Sequence, residues 1–105
     1  MGECSTSDIG IIQKKVNQVQ GVDEYEVEIQ NYCQSCGLSG LVIGCEGFQT
    51  VEPVEPALFK QLDGGDCLIN GGDFITRGIP IRFRYAWQTP TNFYPKKVVS
   101  KCSSR

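Results

Sequence analysis

A chain of 105 residues with ten basic and twelve acidic side chains, formal net charge −2, is sized for one domain and lacks the positive excess of a phosphate-backbone binder, so no nucleic-acid partner is expected. It contains no histidine, which excludes every Ser-His, Cys-His and metal-histidine scheme of catalysis. Its six cysteines, an even number in so short a chain, point to three disulfides formed in an oxidising, extracellular compartment.

At the N-terminus, Met1-Gly2-Glu3 offers neither the basic nor the apolar region of a secretory leader, so the chain reads as a mature secreted form with an added methionine. No apolar run approaches the ~20 residues of a membrane-spanning helix, and membrane insertion is not expected. Ile9 to Ile12 reads as a first strand, tied down by Cys4. Tyr25-Glu26-Val27-Glu28-Ile29-Gln30 alternates apolar and polar residues at a period of two, so Tyr25, Val27 and Ile29 share an inward face while the carboxylates face water. Leu41-Val42-Ile43 is a short strand leading to Cys45. Pro53 and Pro56 lack amide donors and interrupt any ladder, and Pro56 to Leu62 is the one stretch able to hold a helical turn.

Asp63-Gly64-Gly65-Asp66 reads as an acidic turn, because it lacks the run of spaced oxygen ligands that a calcium loop uses. Cys67-Leu68-Ile69 leads to Asn70-Gly71-Gly72-Asp73, where Asn-Gly and the adjacent glycines supply the positive φ of a hairpin turn. Gly71-Gly72-Asp73-Phe74 spells the start of a cyclic-dinucleotide synthase signature, but Ile75 and Thr76 break it and the turn already explains the glycines. The strongest strand follows, with Ile79, Ile81, Phe83, Tyr85 and Trp87 on one face and Pro80, Arg82, Arg84 and Ala86 on the other. Lys96 to Lys101 forms a terminal strand anchored by Cys102.

Short strands punctuated by glycine and proline turns, with no linker, repeat or low-complexity segment, describe a single all-β domain over residues 1–105, an antiparallel β-sandwich stapled by three disulfides. The parity of Cys33 follows that of Val27 and Ile29, and that of Cys67 follows Ile69, so both thiols point inward, where they can bridge two sheets. Six cysteines allow about 15 pairings, and all remain open at this level. Cys33-Gln-Ser-Cys36 has the half-site spacing of a zinc ribbon, but Cys4, Cys45, Cys67 and Cys102 are isolated and supply no second pair, so crosslinking is the better reading and no metal or other cofactor is expected. A thioredoxin-like role for the same pair lacks its strand-helix-strand context.

Three sets of residues can carry function. Glu26 and Glu28 lie on one strand face as paired carboxylates, yet a glycosidase needs a cleft with opposing walls, and exposed strand positions are ordinarily charged. Trp87, Phe93 and Tyr94 are candidates for stacking on sugar rings, as in a cell-wall polysaccharide-binding module, although Tyr85 and Trp87 continue the inward parity of Ile81 and Phe83. Basic residues recur as Lys14-Lys15, Arg82 with Arg84, and Lys96-Lys97; if the terminal strands are neighbours, these make a cationic face for an acidic receptor surface or pectin-like polymer.

The order Cys4, Ile12-Gln13, Gly21, Tyr25-Glu26-Val27-Glu28-Ile29-Gln30-Asn31, Cys33, Cys36, Cys45, Gly47-Phe48, Pro56, Phe59, Asp66-Cys67-Leu68-Ile69-Asn70, Gly72, Phe83-Arg84-Tyr85-Ala86 and Cys102 resembles the plant tapetum-determinant-like family of small secreted cysteine-rich proteins. The resemblance extends over nearly the whole chain, and its specificity lies in the cysteine ladder joined to the Tyr-x-Val-Glu-Ile-x-Asn and Asp-Cys-Leu-Ile-Asn segments. It implies a non-catalytic apoplastic signalling ligand whose partner is the ectodomain of a leucine-rich-repeat receptor kinase. In that setting Lys14, Lys15, Arg82, Arg84, Lys96 and Lys97 are the residues expected to steer and pair at the rim of the contact.

Overall fold

Alternation in the Tyr25–Asn31 stretch is realised as the central strand of a three-stranded sheet. The computed structural model describes residues 4–102, and the leader reading of Met1 to Glu3 lies outside the described residues. Among the described residues seven strands are formed: β1 (Ile9–Val19), β2 (Val22–Asn31), β3 (Cys36–Gly44), β4 (Phe59–Gln61), β5 (Asp66–Ile69), β6 (Ile81–Trp87) and β7 (Tyr94–Cys102). They make two antiparallel sheets, ordered β1-β2-β6 and β4-β5-β3-β7. The expected all-β, three-disulfide architecture is what the chain adopts.

The core lies between the sheets. Tyr25, Val27 and Ile29 of β2 stand in register with Tyr85, Phe83 and Ile81 of β6, and the opposing sheet contributes Leu38, Leu41, Ile43, Phe59, Cys67 and Ile69. Aromatic rings fill the core: Phe59 meets Phe83 of the opposing sheet at 4.6 Å and Phe48 at 4.7 Å between centroids, and within the first sheet Tyr25 stacks on Tyr85 at 5.4 Å. Such pairs contribute roughly 0.5–1.5 kcal/mol each beyond their area burial. The buried Tyr85 hydroxyl donates to the Gln13 side chain and accepts from the Thr91 amide at 2.8 Å.

Several local expectations give way to tertiary forces. The cysteine bridges are Cys4–Cys33, Cys36–Cys102 and Cys45–Cys67, and none spans the sandwich. Two of them clamp strands within the second sheet, β3 to β7 and the end of β3 to β5, while the first ties the segment before β1 to the end of β2. Cys33 and Cys67 do point inward as their parity requires, but each finds its partner beside it rather than across the core.

Asn70-Gly71-Gly72 is a 3-10 turn with positive φ at all three residues, yet it closes no hairpin. β5 pairs with β3 and β4, and the chain then crosses to the other sheet. Long-range capture overrides the local turn signal: the Asn70 amide bonds to Leu58 O at 2.9 Å and the Ile75 amide to Leu38 O at 3.0 Å. The Pro56–Leu62 stretch turns only as far as Leu58 and then supplies strand β4. Ile79 is 65% exposed, because a turn at Thr76–Ile79 delays the strand until Ile81. Ala86 is fully buried despite its polar-face parity, since residues 50–52 run along the free edge of β6 and bond to both its amide and its carbonyl.

Candidate functional site

The three basic pairs do not converge on one face. β1 and β7 belong to different sheets, so Lys14-Lys15 and Lys96-Lys97 stand on different layers of the sandwich. On the outer face of the first sheet, Lys14, Glu26 and Arg84 stand in register across three strands, with Glu28 opposite Arg82. The charges therefore alternate: Arg82 lies 3.3 Å from Glu28, Arg84 lies 3.7 Å from Glu26 and 3.8 Å from Glu24, and Lys15 lies 3.3 Å from Asp23. Lys96 holds Asp66 at 2.5 Å, which raises the lysine above its ordinary pKa. Exposed pairs of this kind contribute little to stability, because solvent and salt screen them.

The aromatic candidates are likewise divided by the strand alternation. Phe93 turns inward, half-buried and edge-on to Phe59, Phe83 and Tyr85, and Trp87 packs half-buried against the same core. Tyr94 turns outward, 38% exposed, and its hydroxyl donates to Glu46 at 2.8 Å. That bond holds the Glu46 carboxyl below its usual pKa and raises the Tyr94 hydroxyl. No flat row of sugar-stacking rings forms from Trp87, Phe93 and Tyr94. Glu26 and Glu28 are each engaged by an arginine, and Glu28 also accepts from Gln30, so the two carboxylates serve the charge ladder of the sheet.

One acidic pair escaped notice in the sequence. Glu24 is only 6% exposed, and Glu52, carried by the segment along β6, brings its carboxyl against it near Arg84. Burial, then a hydrogen bond to and repulsion by Glu24, push Glu52 above the usual carboxylate pKa range. Nothing local in sequence links positions 24 and 52.

A second unforeseen feature lies at the end of the sandwich that carries Cys4–Cys33 and Cys36–Cys102. A cavity of about 460 Å³ opens there between residues 31–37 and 74–77, and a neighbouring one of about 300 Å³ shares Asn31 and Arg77 with it. Asn31, 3% exposed, is the tie: its Nδ2 donates to Ile75 O at 2.8 Å and its Oδ1 accepts from the Cys33 amide at 2.8 Å. The sulfurs of Cys4, Cys33 and Cys36 gather within 4.8 Å, but each is oxidised in a disulfide and offers no thiolate to a metal. The outward parity of Tyr32 was readable from β2; the approach of the 74–79 loop was not.

Comparison with known proteins gives the family. The family model for Tapetum determinant 1, C-terminal, matches residues 5–103. TPD1 protein homolog 1 of Arabidopsis thaliana is 38% identical over 86 residues, covering 80% of this chain and 48% of that protein. TPD1 protein homolog 1A of Oryza sativa subsp. japonica is 30% identical over 105 residues, covering 92% and 44%, and homolog 1B of the same species is 30% identical over 84 residues, covering 79% and 50%. The chain thus spans about half the length of these relatives. No solved structure gives a significant match. With the family pattern matched from residue 5 to residue 103 and all six cysteines paired, the chain belongs to the Tapetum determinant 1 C-terminal family.

Proposed function

We propose that this protein is a secreted signalling ligand of the plant apoplast that binds the ectodomain of a leucine-rich-repeat receptor kinase. The observation that carries the reading is the family match over residues 5–103 on a body with every cysteine in a disulfide, a chemistry that belongs to an oxidising compartment. A stiff, crosslinked sandwich loses little conformational freedom on docking, which suits action by surface complementarity. Lys14, Lys15, Arg82, Arg84, Lys96 and Lys97 serve in this reading as rim residues that steer association; Lys14 and Lys97 have no ion-pair partner among the described residues. The polysaccharide alternative has weaker support, because Trp87 and Phe93 are spent on the core.

Titration of the oxidised protein against a panel of repeat ectodomains by calorimetry tests the proposal. Saturable binding to at least one ectodomain, weakened by added salt, is the expected result. Uniform absence of binding at micromolar concentration refutes it.

A further inference from the structure

We propose that the disulfide-bearing end of the sandwich, built around Tyr32, Phe74 and Arg77, is a docking surface for a protein segment that presents a carboxylate beside an aliphatic or aromatic side chain. Side chains of the kind that dominate protein interfaces, tyrosine, phenylalanine and arginine, stand together here in solvent. Tyr32 is 54% exposed, Phe74 49% and, beside Arg77 and Gly78, Ile79 65%.

Both aromatic rings lie down on the body rather than projecting from it. A Cβ at Gly10 would come within 2.6 Å of the Tyr32 ring, and one at Gly37 within 2.9 Å of the Phe74 ring, so each ring is seated on a strand position stripped of its side chain. The two cavities run between and beside these rings, and Arg77 lines both. The floor is held in place, since Asn31 and Ile75 are buried and hydrogen-bonded to each other and two disulfides border it. A surface ordered before contact loses less on binding.

Charge identifies the occupant. Arg82, Arg84, Lys15 and Lys96 each hold a carboxylate, whereas Arg77 has no acidic partner among the described residues. Among the described residues it is also the only charged side chain lining either cavity. A guanidinium beside aromatic rings recognises a planar carboxylate through two parallel hydrogen bonds, and the flanking Tyr32 and Phe74 rings accept the apolar neighbour of that acid.

The biological partner rests on the receptor-ligand reading above, but the surface is testable apart from it. Isotope-labelled oxidised protein is titrated with hexapeptides carrying Asp or Glu next to Leu or Phe, and with their Asn and Gln counterparts, while amide shifts are followed. Shifts confined to the neighbourhood of Tyr32, Gln34, Phe74 and Arg77, at least about tenfold weaker for the amide peptides and for Arg77→Gln, are expected. Phe74→Ser should abolish them with the near-ultraviolet spectrum of the fold retained. Shifts elsewhere, equal response to the amide peptides, or no response at millimolar peptide overturns the proposal. So does an Arg77-dependent response to acidic oligosaccharides in place of peptides, or a doubling of mass that Phe74→Ser removes, which would assign the surface to a second copy. If an ectodomain binds and both variants bind it unchanged, the surface fails and the receptor reading stands. If no ectodomain binds while the peptides show the acid-dependent pattern, the receptor reading fails and the surface stands.

Discussion

Glu52, half-buried, sets one oxygen of its carboxyl in a buried position with no hydrogen-bond partner among the described residues, against the buried Glu24, so its protonation state matters to the fold. Protonation of Glu52 lets it donate to the Glu24 carboxylate and removes one of two like charges, which is the direction of its raised pKa. Because the folded pKa is raised, the stability it contributes is complete below the ordinary glutamate range and is lost as pH rises through the raised value. Glu46, held low by the Tyr94 hydroxyl, acts in the opposite sense, present above the ordinary range and lost as pH falls. The diagnostic is therefore a difference: thermal midpoints of Glu52→Gln and the parent should diverge as pH rises out of the carboxylate range, the variant being the more stable at the high end. Parallel curves would show that no proton is shared. At Tyr85 the argument concerns an orphaned donor. Tyr85→Phe leaves the buried Thr91 amide without its acceptor and should cost about 1–3 kcal/mol in urea denaturation.

Among the elements, β2 and β6 were legible because each obeys a period of two against a core on one side only. β1 is far longer than its apolar start at Ile9–Ile12 indicates, running to Val19. A register shift between Lys15 and Asn17 breaks its alternation, and its polar second half is held by pairing with β2 rather than by burial. β4 has only three residues, too few for any pattern. The crossing from β5 to β6 was misread as a hairpin because the turn chemistry of Asn70-Gly71 is local, while the outcome lies with distant partners: Leu58 and Leu38 hold the Asn70 and Ile75 amides, and Asn31, 44 residues away, holds the Ile75 carbonyl. Asn31→Ala removes both bonds of that side chain and should destabilise the protein by roughly 2–4 kcal/mol, read as a lower urea midpoint. The same change should also scatter the amide shifts of residues 74–79; retention of those shifts would show that the loop is held by other contacts.

For the whole molecule, the disulfides stiffen and the rings join. Cys36–Cys102 closes a separation of 66 residues and Cys45–Cys67 one of 22, so chain-entropy stabilisation is about 4 and about 3 kcal/mol respectively. Replacing Cys36 and Cys102 together by serine should cost about 4 kcal/mol, more than the corresponding change at Cys45 and Cys67, by equilibrium denaturation. Reduction of all three bridges removes an amount comparable to the ~5–15 kcal/mol net stability of a small domain and should abolish the near-ultraviolet signal of the aromatic core. Persistence of that signal under full reduction would show that the aromatic core alone carries the fold. The amino-acid order by itself determined the all-β class, the inward faces of β2 and β6, the oxidised state of the six cysteines and the absence of histidine chemistry, because parity, composition and redox preference are properties of short stretches or of the chain as a whole. Only the tertiary structure decided which sulfurs meet, that charge alternates across the sheet instead of gathering, and that Tyr32, Phe74 and Arg77 share one end. Those outcomes depend on contacts between residues tens of positions apart, and the free energy of such contacts exists only once both sheets have packed.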